Sequence, residues 1–238
     1  MLSLRRVRLA PSAPVPIAQL SDAYAQAPPL ASVTKRGLDI SLAIVLLVLT
    51  SPIWLAAAIL VKATSPGPIF FRQERIGAGG TPFECFKFRT MHHGVSDEAH
   101  RELVTRMLSN RERSSEGNGE PYKVNADSRV IPVGRWMRRL SLDELPQLIN
   151  VLRGEMSIVG PRPPLRYEVE RYEGWQQERL AVRPGITGLW QVSGRNRLTY
   201  HEMCSLDIEY IRSWSVATDL LIMLSTPWVM FIDRGGAS

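Results

Sequence analysis

Apolar residues are unevenly spread along the chain. From Ile40 to Val61 no residue carries a charge. As a straight helix that stretch is roughly 33 Å long, enough to cross a bilayer. Two features speak against a plain crossing. Ser51-Pro52 lies near its middle, where proline removes one backbone hydrogen bond and kinks a helix. Basic residues flank both ends, Lys35 and Arg36 before, then Lys62, Arg72 and Arg75 after. Positive flanks prefer the cytoplasmic side, so both ends are drawn to one face. The residues alone favour an ordinary kinked span over a re-entrant hairpin broken at Ser51-Pro52. A buried soluble helix fits worse, because the stretch has no polar face.

Elsewhere the pattern is that of a small mixed domain. Residues 1–31 are rich in Ala and Pro with little periodicity, which predicts a disordered tail. No continuous apolar run follows Arg5, Arg6 and Arg8, so the tail does not read as a cleaved signal peptide. Two short strands are predicted, Ile69 to Gln73 and Phe83 to Phe88, around the turn Gly77-Ala78-Gly79-Gly80. A polar excursion spans about 95 to 125, with helix from Ala99 to Leu108. Helices are also predicted over Leu145 to Leu152 and Glu168 to Arg179. Gly160 to Pro164 reads as a rigid loop and Pro184 to Arg195 as a Gly-rich one. Ala217 to Ile232 is apolar, broken by Pro227 and too short to span, which predicts an interfacial or packed helix.

Charge sharpens this picture. The 238 residues carry a formal net charge of +6, which serves solubility alone or points to an anionic partner: nucleic acid, anionic lipid or a phosphorylated substrate. Nucleic acid is the poorest of the three, since no zinc-finger, RNP-type or helix-turn-helix pattern is present. The two cysteines, Cys85 and Cys204, are far apart and imply neither a disulfide framework nor a thiolate metal site. His92 and His93 are neighbours rather than spaced by a helical turn, so a histidine metal site is not expected.

Three segments could carry chemistry. In Arg138-Arg139-Leu140-Ser141-Leu142-Asp143-Glu144-Leu145-Pro146-Gln147, Ser141 and Glu144 have the spacing of a capping box that opens a helix. That is the plain structural reading. The functional one uses the same physics: free N–H groups at a helix start bind phosphate. Asp143 could attack phosphorus and form an acyl-phosphate. Arg138 and Arg139 could neutralise the charge that develops, and the adjacent carboxylates of Asp143 and Glu144 could hold Mg²⁺. In Gly160-Pro161-Arg162-Pro163, flanking prolines stiffen the backbone that carries Arg162, whose planar fork suits bidentate phosphate recognition. In Arg183 to Arg195, Gly185, Gly188 and Gly194 permit close backbone approach to a ligand, and Trp190 is expected in a core.

Taken in order, these segments resemble the bacterial sugar transferase family, in its small monotopic phosphoglycosyl transferase form. The resemblance runs from about Lys35 to the C-terminus. It rests on Lys35-Arg36 with Asp39, Ser51-Pro52, Phe70 to Gly77, Phe86-Lys87-Phe88-Arg89-Thr90-Met91, Ser141 to Leu148, Asn150-Val151, Gly154 to Ser157, Gly160 to Pro163 and Arg183 to Gly188. It implies a re-entrant helix broken at Ser51 and Pro52, against the preference drawn from the residues alone. It implies Asp143 as nucleophile beside Glu144, Mg²⁺ as cofactor, and phosphate contacts from Arg138 and Arg162. Arg183 and Arg195, at the two ends of the Gly-rich segment, complete the candidate substrate-binding set.

The expected fold is thus α+β and mainly helical: tail 1–31, membrane-inserted hairpin 32–63 and a cytoplasmic catalytic domain 64–238 with interfacial amphipathic helices and a small β-hairpin. The implied reaction moves a sugar-1-phosphate from a UDP-sugar to undecaprenyl phosphate at the bacterial inner membrane, with a homodimer as an option. The alternative is a non-catalytic membrane adaptor of a glycan-assembly complex, which would have no need of the Asp143-Glu144 pair.

Overall fold

The computed structural model describes residues 29–92, 129–194 and 198–231. The expectations for the tail before Pro29, for the excursion at 95–125 and for Arg195 lie outside these residues.

Helix α1 runs from Pro29 to Thr64 without interruption and contains Pro52. It is long and apolar enough to cross a membrane. Pro52 has no N–H for the Val48 carbonyl. The Ser51 hydroxyl donates to that carbonyl instead, at 2.8 Å. The residue before it, Thr50, donates through Oγ1 to the Leu46 carbonyl at 2.6 Å. Local hydroxyls therefore satisfy backbone groups beside the proline with no help from water.

Both ends of α1 dock on the rest of the protein. Asp39, Ala43, Ala57 and Val61 are buried on its inner side, while Val48, Leu49 and Leu55 between them are exposed. At the start, Asp39 Oδ1 accepts from the Ser157 hydroxyl and the Ile158 amide, each at 3.0 Å. Lys35 pairs with Asp219 at 2.7 Å. Arg36 donates to the Val151 and Leu152 carbonyls at 2.6 and 2.9 Å, which satisfies carbonyls left over at a helix end. The basic flank read as a topology signal is thus also spent on tertiary contacts. At the far end, Trp54 stands edge-on to Phe88 with ring centroids 5.4 Å apart.

Strands β1 (Phe70–Ile76) and β2 (Pro82–Phe88) form the expected hairpin, in register from Phe70 opposite Phe88 to Ile76 opposite Pro82. Helix α2 (Pro132–Arg139) follows, with proline at its first position, where a missing N–H costs nothing. Helix α3 (Gln147–Arg153) ends at Gly154, whose φ of 83° lets the chain turn out. Then come β3 (Ser157–Val159), the short α4 (Arg166–Val169), a 3₁₀ segment Gly174–Ala181, β4 (Gly185–Thr187), α5 (Leu189–Ser193), α6 (Tyr200–Arg212) and α7 (Val216–Phe231). One core joins α1, β2, α3, β3, α6 and α7 through Ala43, Cys85, Leu148, Val151, Ile158, Tyr210 and Ile222. A second joins the far half of α1 to β2 and α2 through Ala57, Val61, Phe88, Ile131 and Met137.

Three expectations are corrected. Glu168 to Arg179 is not one polar helix. Glu168, Tyr172 and Arg179 are all buried, and drawing them inward splits the segment into α4 and the 3₁₀ turn. Pro184 to Arg195 is not a plain loop, because β4 pairs parallel with β3, Ser157 opposite Gly185, and α5 follows. Pro227 does not break the C-terminal helix. That helix packs through Ile222 and leaves Leu220, Leu221, Leu224 and Trp228 exposed.

Candidate active site

The site begins at a tight backbone crossing. β3 and β4 lead into the Gly160-Pro161-Arg162-Pro163 loop and out of the Arg183-Pro184 segment. The Gly160 amide donates to the Thr187 carbonyl at 2.9 Å, and the Gly185 amide to the Pro161 carbonyl at 2.7 Å. A Cβ on Gly185 would lie 2.1 Å from the Gly160 nitrogen, and one on Gly188 would lie 2.5 Å from the Gly160 oxygen. These glycines serve one backbone's approach to another. The ligand expected from the sequence at Gly185 and Gly188 is replaced here by the chain's own backbone at Gly160.

The crossing presents Arg162, and two other arginines hold its backbone. Arg75 Nη1 donates to the Pro163 carbonyl at 3.0 Å, and Arg179 Nη2 to the Arg162 carbonyl at 3.3 Å. The end of β1 adds a bond from the Ile76 amide to the Pro164 carbonyl at 2.9 Å. Burial and the neighbouring Arg75 charge draw the Arg162 guanidinium down to about 10, with Glu168 pulling the other way. It therefore stays charged at neutral pH.

The carboxylates arrive from the opposite side. α2 is pinned at Thr90: a Cβ on Gly134 would fall 2.4 Å from the Thr90 oxygen, and Arg138 Nε donates to Thr90 Oγ1 at 2.8 Å. After α2 the chain enters a 3₁₀ turn, Leu142–Glu144, through Ser141 at φ 52°. Among the described residues Ser141 is the one non-glycine with positive φ, a conformation that costs about 1–2 kcal/mol. The expected capping box is absent: Ser141 makes no side-chain cap, and α3 opens only at Gln147. Glu144 instead pairs with Lys87 of β2 at 2.8 Å. Asp143 is buried in the same turn.

These elements enclose a small cleft of about 300 Å³, its open mouth included. Arg75, Lys87 and Arg162 bring three cations to it, and Glu144 one carboxylate. Gln147 and Gln191 add amides, while Cys85 and Ile186 make an apolar floor. Burial pushes the Cys85 thiol up, so it is no nucleophile at neutral pH. The fold therefore unites Glu144 and Arg162 at the cleft, while Asp143 is buried next to Glu144 in the turn and does not line the cleft. Arg138 stands at the end of the helix that leads into the acidic turn. Arg183 turns elsewhere, its Nε donating to the Gly154 carbonyl at 2.9 Å. Trp190 is in a core with Met203 and Leu206, as expected.

Lys87 and Arg75, neither of them a substrate-binding candidate by sequence, also line the cleft. A signal was available, because Lys87 is a charge between two phenylalanines in a short strand. Among the described residues no three His, Cys, Asp or Glu side chains gather in one place. The Asp143-Glu144 pair nevertheless fits Mg²⁺, which binds through one or two carboxylates and takes its remaining oxygens from water and phosphate.

A cleft that gathers three cations around a carboxylate, on a domain packed against a long apolar helix, suits a membrane-associated protein that handles phosphorylated substrates. Residues 30–233 match the bacterial sugar transferase family, and the chain belongs to it. It is 42% identical over 207 residues to the exopolysaccharide production protein ExoY of Sinorhizobium fredii, covering 87% of this chain and 89% of that protein. It is 40% identical over 232 residues to the UDP-glucose:undecaprenyl-phosphate glucose-1-phosphate transferase of Escherichia coli, covering 92% of this chain and 44% of that one. The undecaprenyl-phosphate galactose phosphotransferase of Salmonella typhimurium is 38% identical over 204 residues, covering 85% of this chain and 41% of that protein. The chain thus spans nearly all of the first of these relatives and under half of the other two.

Proposed function

We propose that this protein transfers a sugar-1-phosphate from a UDP-sugar to undecaprenyl phosphate, at the cytoplasmic face of the bacterial inner membrane, as the opening step of an exopolysaccharide or related glycan. The observation that carries the reading is the meeting of Glu144 with Lys87, Arg75 and Arg162 in one cleft, beside Asp143. Three cations against the single Glu144 carboxylate leave two positive charges, which match the two negative charges of a nucleotide-sugar diphosphate, and the adjacent carboxylates suit a nucleophile with a metal. The named activities of the Escherichia and Salmonella relatives support it.

Each residue has a part. An Asp143 oxygen attacks the phosphorus that carries the sugar. The P–O bond to UMP breaks, UMP leaves with the bonding electrons, and the sugar phosphate stays on the aspartate. A phosphate oxygen of the lipid carrier then attacks the same phosphorus and releases Asp143. Arg162 and Lys87 hold phosphoryl oxygens in place while the charge redistributes. Asp143 and Glu144 would hold Mg²⁺, which when bound neutralises pyrophosphate charge.

α1 supports a re-entrant arrangement. Its start is buried at Asp39 and its far half at Val61, both against the same domain, with exposed Val48, Leu49 and Leu55 between. A crossing helix would carry one of those ends to the opposite face of the bilayer. Exposed Trp136 between Arg135 and Arg139 on α2, and exposed Leu224 and Trp228 on α7, suit the headgroup zone.

The test is UMP release from a panel of UDP-sugars in the presence of undecaprenyl phosphate and Mg²⁺. Asp143→Asn should abolish release while the thermal midpoint is kept. Mass spectrometry of enzyme given donor alone should find a phosphosugar adduct on Asp143. Full activity in Asp143→Asn sinks the nucleophile assignment. No release by the wild type from any donor sinks the enzyme reading and leaves the adaptor.

A further inference from the structure

Behind the Arg162 loop lies a charge cluster that takes no part in the reaction above. Arg179, Asp207 and Glu168 are buried, at 5%, 0% and 1% exposure, and are walled in by Tyr172, Tyr200 and Cys204. Arg179 Nε and Nη2 donate to Asp207 Oδ2 at 2.9 and 2.8 Å. Arg179 Nη1 donates to the Tyr172 hydroxyl, and to that of Tyr200 at 3.3 Å. Nη2 also reaches out of the cluster, to the carbonyl of Arg162.

Burying ions costs several kcal/mol each, and a buried pair is often no more stabilising than an apolar replacement of similar shape. The pair therefore has a poor rationale as a source of stability. Its geometry offers another one. Asp207, on α6, fixes the plane of the Arg179 guanidinium. The fixed fork then has one donor left over, and that donor ends on the backbone of the residue that presents a cation to the cleft. Arg75 holds the next carbonyl from the other side.

We propose that Arg179, aligned by Asp207, is a positioning residue: it sets where the Arg162 guanidinium stands against the donor pyrophosphate. The proposal rests on the phosphotransferase reading for the identity of that ligand. Lysine at 179 keeps the charge but has a single rotatable ammonium and no planar fork, so it loses the two-nitrogen hold on Asp207 that fixes the direction of the donor aimed at the Arg162 carbonyl.

The experiment is a double-mutant cycle with an independent probe. Arg179→Lys should lower kcat/KM for the UDP-sugar by about ten- to hundredfold, the scale of a small misplacement of a binding group. In the Arg162→Ala background the same change should cost less than about twofold, since little positioning is left to lose. Asp207→Asn, which is isosteric, should behave in the same way and serves if Arg179→Lys does not fold. Equal fold losses in both backgrounds overturn the proposal. Phenylglyoxal labelling, read by peptide mapping, needs no activity: Arg179→Lys should speed modification of Arg162 while exposed Arg166 and Arg212 keep their rates. An unchanged Arg162 rate, or a rise shared by all arginines, also overturns it. If the wild type releases no UMP from any donor, the phosphotransferase reading falls and the labelling still decides whether Arg179 sets Arg162.

Discussion

The acidic turn shows how much single residues decide. Ser141 adopts a left-handed backbone that a side chain disfavours, directly before Leu142 and Asp143. Such strain persists only where the surroundings hold it, here α2 on one side and α3 on the other. Its effect is to detach Glu144 from a capping role and hand it to Lys87. The two groups are about a quarter exposed, 22% for Lys87 and 30% for Glu144, so the pair is worth little as a stabilising contact. Its value lies in the cation it places at the cleft. Lys87→Ala should therefore leave the thermal midpoint nearly unchanged and lower kcat/KM for the donor by about a hundredfold, the usual cost of losing one aimed donor. Retained kcat/KM with a depressed midpoint would mean that Lys87 only props up the turn.

At the scale of elements, two devices organise the protein. In α1 the Ser51 hydroxyl takes the carbonyl that Pro52 leaves over, so an apolar helix carries a proline without leaving that carbonyl unsatisfied. In the β3–β4 pair, Gly160, Gly185 and Gly188 let two backbones touch. Gly185→Ala would place a methyl 2.1 Å from the Gly160 nitrogen and 2.6 Å from the Thr187 oxygen. Both are main-chain atoms and cannot swing aside. The substitution should destabilise the protein by about 1–3 kcal/mol and lower the thermal midpoint. UMP release should fall as well, because the methyl pushes on Gly160, which opens the Arg162 loop after β3. An alanine variant as stable and active as the wild type would refute the close crossing.

Across the whole molecule, the buried pair also leaves a pH signature. Burial raises the Asp207 carboxyl to about 6, from 3.8 in an exposed chain, although Arg179 pulls it down. It is ionised at neutral pH, as the pair requires. Between those values the folded protein keeps a proton that the unfolded chain has released. The resulting stability is fully present below the lower value and is lost as pH rises through about 6. The midpoint of the wild type, measured against Asp207→Asn, should thus fall from about pH 4 to about pH 6.5. A constant difference would mean that Asp207 does not titrate there.

Much of this was legible beforehand, because it depends on local pattern. The apolar run of α1, the Phe70 to Phe88 hairpin and the proline-stiffened Arg162 loop follow from hydrophobic period and backbone chemistry alone. The acidic pair and Arg162 were nameable because their residue types already imply phosphate chemistry. What neighbours do to one another was not legible. The partner of Glu144 lies on a strand more than fifty residues away, the contact that each of the three glycines permits is another stretch of backbone, and a segment polar by composition was pulled inside by ion pairing with α6. Sequence sets what each side chain can bind. Only the folded chain sets which partner lies within 3 Å, because that depends on elements brought together by burial.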